Sequence, residues 1–370
     1  MMADVTPLDV TALRAGIPAL ARFVYLNTGT AGPLPRAVRD AMLDALDADL
    51  DRGRASARRF ARIAEGFEEA RALLAGLVRA DAREVALTGG TTDGIERVLA
   101  AMPWSRGDRL VTSPLEHPDV LEAARATARR YDLDLVVAGT AGQTPEEIAE
   151  ALVTATRGAR LVVVSHVTYG AGVVLPIGRI AAAARARGAL VLVDGAQAAG
   201  ALDVDVHALG ADFYAFPGQK WLLGPEGTGA LVVTRAADRR PASAFEPVTK
   251  SAMLWAGLRA AVRWRVEHGH ERLVEAVRRG AELARAQLAA IPGVPVLTPA
   301  RHAGLVAFRL PGADPLAVAA ALGARRIATR GIPEIGAVRL SCGPFTTDGE
   351  LTFAAETVRS LALEKAVSAQ

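Results

Sequence analysis

The sequence predicts an α/β protein with a mainly parallel central sheet in a large domain and a smaller α+β domain. Strand-like and helix-like segments alternate between residues 84 and 233, which is the pattern of consecutive β-α-β units. The segment 189–193 is a continuous apolar run, typical of a strand buried on both faces of a parallel sheet. The alternation begins again after residue 304, where it predicts the smaller domain.

Length, net charge, apolar runs and cysteine count limit the classes of protein to which the chain can belong. The chain has 370 residues, which is long enough for two domains that share one large core. The formal net charge is only +3, which argues against a nucleic-acid partner. No apolar run is long enough to cross a bilayer, and the N-terminus lacks the basic and apolar regions of a signal peptide. The single cysteine, Cys342, cannot form an internal disulfide, so we expect a cytoplasmic protein without a membrane partner.

The first predicted elements are a loop and two helices. Residues 25–35 are rich in glycine, proline, asparagine and threonine, which predicts a turn-rich loop. Segments 36–50 and 57–78 carry their charges on one face, as amphipathic helices do.

The first predicted strand, 84–88, leads into an anion-binding pattern. It is followed by Gly-Gly-Thr-Thr at 89–92 and then by a helix with an apolar stripe. The free N–H groups and the positive dipole end of such a helix attract a phosphate. The same residues also fit an ordinary threonine N-cap, and the pattern alone leaves both readings open.

Further strands are predicted at 109–112, 134–137 and 160–165. The first of them leads to His117 and then to Pro118, where a proline predicts the first turn of a helix. A lone histidine before a helix is more often structural than catalytic, so the sequence pattern alone assigns His117 no role.

An aspartate and a lysine end two neighbouring strands. Asp194 follows the apolar run 189–193, and Lys220 follows a strand at 212–216 and a Pro-Gly turn. Open α/β sheets bind ligands at the carboxyl ends of their strands. Pyridoxal phosphate needs a lysine amine for its attachment and a carboxylate on its ring nitrogen, so this pair predicts that cofactor. Taken singly, each residue also fits a surface turn or an exposed lysine.

The C-terminal part contributes a candidate arginine. Long helices are predicted at 254–270 and 271–290, and strands and helices alternate beyond them. Arg339 lies in an apolar strand, where its charge needs an anionic partner. The carboxylate of a ligand would fit the guanidinium fork. A structural salt bridge within the protein is the alternative. His268 and His270 lack a third ligand, so we expect no metal.

Three segments together resemble the class-V aminotransferase family. They read Asp-Gly-Ala-Gln at 194–197, Ala-Asp-Phe-Tyr-Ala-Phe-x-Gly-x-Lys at 211–220, and Gly-Pro-x-Gly-Thr-Gly at 224–229. These enzymes have the PLP-dependent transferase fold of type I and include cysteine desulfurases, selenocysteine lyases and isopenicillin N epimerase-like proteins. The resemblance covers nearly the whole chain, from about Tyr25 to Leu361.

The resemblance implies a domain division and a homodimer. Residues 29–245 would form the large cofactor-binding domain, and segments 1–28 and 246–370 the small one. Phe-Glu-Pro-Val-Thr at 245–249 is similar to a motif whose threonine reaches the phosphate of the neighbouring subunit, although Val248 replaces the usual glycine.

The resemblance also assigns roles to individual residues. Lys220, Asp194 and His117 would be catalytic. The expected cofactor-binding residues are Lys220, Asp194, Gln197, His117, Thr91, Thr92, Gln219, His166 and Thr249. The expected substrate-binding residues are Arg339, Asn27, Thr28 and Arg330, with Arg339 on the substrate α-carboxylate.

Departures from the family pattern concern the reaction. The usual Ser-x-His-Lys is Pro217-Gly218-Gln219-Lys220 here. His166 stands where desulfurases usually have asparagine, a feature closer to the epimerase-like branch. No cysteine lies between Arg325 and Arg339, where the desulfurase nucleophile would be expected, so a persulfide-forming desulfurase is doubtful.

We therefore expect a pyridoxal-phosphate enzyme that acts on an amino acid or an amino-acid conjugate. A carbon–sulfur lyase or desulfurase-like reaction is the first hypothesis, and an aminotransferase or epimerase is the alternative. A nicotinamide-dependent or non-catalytic α/β protein is a hypothesis from another class. It would need a fingerprint glycine loop after the first strand, which the segments 89–92 and 224–229 do not provide.

Overall fold

The large domain is built on a seven-stranded sheet. The computed structural model describes residues 8–140, 144–234 and 240–368, with side chains described as far as residue 364. The strands stand in the order β2-β8-β7-β6-β5-β3-β4. Their bounds are β2 Val85–Thr88, β3 Arg109–Thr112, β4 Asp134–Val137, β5 Ala159–Ser165, β6 Leu190–Asp194, β7 Phe213–Pro217 and β8 Gly229–Val233.

The sheet is mainly parallel, as the sequence predicts. The strands from β4 to β7 pair in parallel, whereas β8 runs antiparallel to both of its neighbours, β7 and β2. The reversal follows from the connection 218–228, which contains turns and no helix, because a parallel return needs a longer crossover. The parallel strand ends therefore meet at one edge of the sheet, where β6 ends in Asp194.

Helices cover both faces of this sheet. The helices that precede β7 are α1 Val10–Ala15, α2 Arg36–Arg52, α3 Ala57–Leu77, α4 Thr91–Ala101, α5 Pro118–Tyr131, α6 Pro145–Ala155, α7 Ile177–Arg185 and α8 Val206–Leu209. One core lies between the sheet and α4 and α5, and a larger one joins the opposite face to α3, α6 and α7. Strands buried on both faces explain the continuous apolar runs of the sequence.

The small domain contains a three-stranded antiparallel sheet, β11-β12-β9, and a two-stranded pair, β1-β10. The strand bounds are β1 Val24–Tyr25, β9 Leu305–Phe308, β10 Ile327–Ala328, β11 Arg330–Ile332 and β12 Ala337–Ser341. The helices after residue 250 are α9 Ala252–Glu267, α10 His270–Ala289, α11 Pro315–Ala324 and α12 Asp348–Ser368. In the chain as described, short 3-10 turns also occur, at 18–21, 82–84, 242–245 and 333–335. Apolar side chains of the sheet and of α10, α11 and α12 form a separate core.

Helix α9 links the two parts of the chain. The division expected from the resemblance assigns α9 to the small domain, yet it packs mainly against α2 and α3. Trp255, Leu258 and Val262 of α9 belong to the large core. Within the described residues, no helix is long and apolar enough to span a membrane.

Candidate active site

A cavity of about 330 Å³ lies where the carboxyl ends of β5, β6 and β7 face the small domain. It is bordered by the N-terminus of α4 on one side and by strands β11 and β12 on another. Nine of the expected site residues border it: Thr91, Thr92, His117, Asp194, Gln197, Gln219, Lys220, Arg330 and Arg339.

Lys220 reaches the cavity from the turn after β7. Its side chain borders the cavity but is otherwise enclosed by protein, and this burial lowers the pKa of its amine to about 8. The positive charges of Arg339 and Arg330 act in the same direction, and the Asp194 carboxylate opposes them. A lysine with so low a pKa is partly neutral near pH 7, and the neutral amine is the reactive form.

Asp194 ends β6 as a buried carboxyl group. Its Oδ1 accepts a hydrogen bond of 2.8 Å from the N–H of Ala196. Burial raises the pKa of Asp194, while the charge of Lys220 opposes that shift. Gly195 is required at this turn because a Cβ there would overlap the Tyr214 ring. A cationic group bound beside Asp194 would favour its ionised form.

The N-terminus of α4 forms one end of the cavity. Gly90 precedes the helix with a φ of 149°, a backbone conformation that favours glycine. The Thr91 hydroxyl is buried and has no hydrogen-bond partner among the described residues. Asp93 is already engaged, because it accepts from the N–H of Gly89 and pairs with Arg97. Free helix N–H groups and an unpartnered hydroxyl together fit an anion.

His117 caps the N-terminus of α5 and presents its ring to the cavity. Its Nδ1 accepts from the N–H of Asp119, and its ring meets that of Tyr169 edge to face, with centroids 4.9 Å apart. Burial, followed by the charge of Lys220, lowers the pKa of His117. The imidazole is therefore held neutral, in a position to lie against a planar ligand.

Arg339 reaches the cavity from β12. Its side chain is buried, one Nη donates a 2.6 Å hydrogen bond to the Tyr169 carbonyl, and the other donates to the Thr30 hydroxyl at 3.0 Å. The Nε donor has no partner within the described part of the chain. Arg330 stands opposite on β11. Burial, and then the charge of Arg330, lowers the pKa of Arg339 to about 9, which a bound anion would reverse.

The two glutamines differ in how much of their hydrogen-bonding capacity is used. Gln197 donates from Nε2 to the Gly29 carbonyl and accepts at Oε1 from the Trp221 indole, so both polar ends are engaged. The Oε1 of Gln219 is buried without a partner in the described structure. Gln219 therefore has an acceptor to offer a ligand, whereas Gln197 serves to fix the loop at Gly29.

Four expected residues lie outside the cavity lining. Asn27 accepts a hydrogen bond from the Thr30 hydroxyl, and Thr28 is buried. From this loop, Gly29 and Thr30 border the cavity instead. Thr249 is exposed on the surface of its own chain.

His166 also lies outside the lining of the cavity. Ser165 borders the cavity, and side chains alternate along a strand, so the next side chain projects to the other face. There the Nδ1 of His166 lies 3.1 Å from the Tyr214 hydroxyl, and burial lowers the pKa of the imidazole to about 4.

The structure adds residues that the sequence analysis did not select. Tyr169 borders the cavity beside His117. Glu116 is fully buried and accepts hydrogen bonds of 2.5 Å from the hydroxyls of Ser113 and Ser165. Burial raises the pKa of Glu116 to about 7. Tyr169 lies in the turn beyond β5, where strand alternation no longer applies, and no sequence signal marks Glu116 as buried.

The only cysteine lies outside the lining of this cavity. Cys342 has an exposed fraction of 0% and belongs to the core of the small domain. Its Cβ packs against α10 at Gly280. Burial raises the pKa of the thiol to about 12, so it is protonated and a poor nucleophile at neutral pH.

The cavity fits pyridoxal phosphate. It combines an anion site at α4, with its unpartnered Thr91 hydroxyl, a lysine amine of lowered pKa and a carboxyl group at the end of β6. The aromatic ring of His117 borders the same cavity. These groups match the phosphate, the aldehyde carbon and the ring nitrogen of that cofactor. In an α/β fold with this topology, they define a fold-type I pyridoxal-phosphate enzyme.

Comparison with known proteins gives the family. The family model "Aminotransferase class-V" matches residues 24–244 and 239–337, and the chain belongs to this family of pyridoxal-phosphate enzymes. The chain is 36% identical over 222 residues to a probable cysteine desulfurase of Methanothermobacter thermautotrophicus. That match covers 59% of the chain and only 55% of the relative.

Longer matches include enzymes with different reactions. Isopenicillin N epimerase of Streptomyces clavuligerus is 29% identical over 389 residues, a match that covers 91% of this chain and 94% of that enzyme. The solved structure of the cystine C–S lyase C-DES with its product cysteine persulfide has a TM-score of 0.86 and 28% identity. It covers 93% of this chain and 99% of that one, and another C-DES structure carries pyridoxal phosphate. The predicted fold type and cofactor are confirmed.

Proposed function

We propose that this enzyme cleaves the carbon–sulfur bond of a cysteine derivative by β-elimination. The substrate and one water would yield a thiol or persulfide, pyruvate and ammonium. The observation that carries the proposal is the combination of Lys220, Asp194 and Arg339 around one cavity whose described lining contains no thiol. A distant relative of similar fold, C-DES, is named as a cystine C–S lyase.

Each residue has a defined task in this proposal. Arg339 binds the substrate α-carboxylate through its unpartnered Nε, and Arg330 adds positive charge. Lys220 removes the proton from the substrate Cα, which its lowered pKa favours. Asp194 holds a proton on the cofactor ring nitrogen. When bound, the cofactor supplies the electron sink that stabilises the charge left on Cα.

The remaining residues orient the cofactor. Thr91 and Thr92, with the N–H groups of α4, hold the phosphate, and His117 lies against the ring. Gln219 offers its free acceptor, and Gln197 supports the site through Gly29. The elimination needs no protein nucleophile, which agrees with a cysteine that is buried in the small-domain core.

An aminotransferase or epimerase reaction is the second candidate. The match to isopenicillin N epimerase over 91% of the chain favours it, because the Lys220 and Arg339 tasks would be the same. The reactions differ in what leaves the substrate: a thiol in the lyase reaction, an amino group in transamination, and neither in epimerisation.

Product analysis separates these candidates. The holoenzyme is incubated with cystine, several S-substituted cysteines and ordinary amino acids, with and without a keto-acid acceptor. Release of thiol and pyruvate supports the lyase, with Lys220→Ala as the inactive control. Exchange of amino groups that depends on the acceptor, or a change of configuration without thiol release, would replace the lyase by the second candidate.

Cofactor attachment is tested separately. The sequence has three lysines, Lys220, Lys250 and Lys365, so the labelled peptide is unambiguous. Borohydride reduction of the yellow holoenzyme followed by peptide mapping should place the cofactor on Lys220. Label on Lys250, which pairs with Glu246, would contradict the proposed site.

We also propose that the enzyme is a homodimer in which Thr249 reaches the phosphate of the neighbouring subunit. Thr249 is exposed and lies beside the fully exposed Val248. Leu43, Leu46 and Leu50 form an exposed apolar stripe on α2, which a second copy would bury. Sedimentation should give a dimer, and Leu46→Glu should weaken it together with cofactor retention. A fully active monomer would refute the dimer.

A further inference from the structure

A second cavity adjoins the candidate active site. It measures about 540 Å³ and lies between the large and small domains. Its walls are mostly apolar and include Leu115 and Ala171 from the large domain and Leu297 and Ile335 from the small domain. A mostly apolar cavity of this size is large enough for a substantial ligand group.

Tyr169 borders both cavities. On the active-site side its ring meets His117, and its carbonyl accepts from Arg339. On the other side it lines the second cavity together with Glu334. A group bound to Arg339 therefore lies beside Tyr169, the residue that the linings of the two cavities share.

The active-site cavity alone has little space for a large substituent. Its volume of about 330 Å³ is near the lower end for small-molecule sites, and a cofactor and an amino acid would occupy it. A bulky substituent on the substrate therefore needs space elsewhere, and the second cavity provides it.

The lining of the second cavity indicates the chemical class of that substituent. Its two charged residues have hydrogen-bond partners: Arg309 donates twice to the Ile335 carbonyl, and the Glu334 carboxylate is hydrogen-bonded to the Tyr169 phenol. The hydroxyl of Thr168 is also occupied, by the N–H of Val173. Most of the lining is apolar, which favours an uncharged hydrocarbon group as the ligand.

We propose that this second cavity binds an apolar substituent on the substrate side chain. Together with the proposed lyase function, on which it rests, this makes the substrate class cysteines whose sulfur carries an alkyl or aryl group. Tyr169 would be the residue that lies between the reacting centre and the bound substituent.

The test uses two ligand series with the holoenzyme. Equilibrium binding is measured by calorimetry for alanine, norvaline, norleucine and 2-aminooctanoate, which carry no leaving group. Thiol release is measured for S-methyl-, S-butyl- and S-benzylcysteine. Affinity should rise by up to about fourfold for each methylene that enters the cavity. The same order should appear in kcat/KM for the sulfur series.

Two variants locate the effect. Ala171→Trp fills the second cavity and should flatten the dependence on chain length, and Leu115→Gln should weaken it with less risk to folding. Ala317→Trp places the same side chain in an exposed groove of the small domain and should keep the wild-type dependence.

The outcomes separate this inference from the proposed function. A binding series that rises with chain length, without thiol release, would support the cavity and refute the lyase. Thiol release with no dependence on substituent length would support the lyase and refute the cavity. A rising series that Ala171→Trp and Leu115→Gln both leave unchanged would place the substituent elsewhere and also refute it.

Discussion

Two arginines in this protein are equally buried but differ in how their donors are used. Arg265 of α9 and Arg339 of β12 each have an exposed fraction of 1%, and burial lowers the pKa of each to about 9. Arg265 donates from Nε to His270, from one Nη to the Trp221 carbonyl and from the other to the Gly200 carbonyl. Arg339 leaves its Nε unpartnered and faces a cavity.

The comparison separates a structural arginine from one suited to a ligand. Neither guanidinium forms an ion pair with a carboxylate of the described residues, so burial and charge do not distinguish them. The difference lies in hydrogen bonding, because the protein supplies acceptors on three nitrogens of Arg265 and only two of Arg339. An unsatisfied buried donor is costly unless something binds it.

The largest expected effect is that of Arg339→Gln on activity. Losing a charge-assisted contact to the substrate carboxylate should lower kcat/KM by about a thousandfold, or roughly 4 kcal/mol. The free energy of unfolding should change by only about 1 kcal/mol, because removal of a buried charge offsets the lost hydrogen bonds to the Tyr169 carbonyl and the Thr30 hydroxyl. Steady-state kinetics and urea unfolding measure the two quantities. Loss of stability with normal kcat/KM would make Arg339 structural.

Arg265→Met should show the opposite pattern. Its removal leaves the Trp221 and Gly200 carbonyls without their donors, so the free energy of unfolding should fall by about 3 kcal/mol. KM for the substrate should change no more than a few-fold, since Arg265 does not border the cavity. Urea unfolding beside a KM measurement checks both, and a selective rise in KM would contradict the contrast.

A smaller effect of the Arg339 substitution is expected on the pH dependence of cofactor uptake at Lys220. Its amine is neutral above a pKa of about 8, so cofactor uptake by apo-protein should accelerate as pH rises to about 8 and level off above. Removing the positive charge of Arg339 should raise that midpoint and slow uptake at pH 7, roughly threefold. Arg265→Met should leave the midpoint in place. Stopped-flow absorbance over a pH series gives the midpoints.

The smallest effect is expected for Cys342→Ser. Cys342 lies three residues after Arg339, so the two side chains project from opposite faces, one to the core and one to the cavity. A serine hydroxyl in that core should cost about 1–2 kcal/mol of stability and change turnover only a few-fold. Abolished turnover together with a persulfide trapped on wild-type Cys342 would restore a desulfurase mechanism.

The sequence predicted the large domain well because its signals are local. A strand buried on both faces reads as an apolar run, and the observed strands β6 and β7 begin and end within one residue of the predicted segments. The short strands β10 and β11 were not predicted, because two or three residues carry no periodicity and pair only through tertiary structure.

Site residues that directly follow predicted strands could be identified from the sequence, whereas those in loops and within helices could not. Lys220 and Asp194 follow strands, so their positions derive from topology. His166 was selected from the resemblance, and Tyr169 was not selected, because the sequence does not show which side chain of the loop after β5 turns to the cavity. Arg265 was not selected, since a charged residue within a helical pattern does not reveal its burial.

The burial of Cys342 means that chemical labelling of its thiol can measure local opening of the small-domain core. Because the sequence has one thiol and it is enclosed in the small-domain core, an alkylating reagent can react only in molecules where that core has opened. The labelling rate, compared with that of a free thiol, gives the free energy of opening. A ligand that bridges Lys220 and Arg339 would join the two domains and slow the labelling, so substrate binding can be followed at a residue that never touches it.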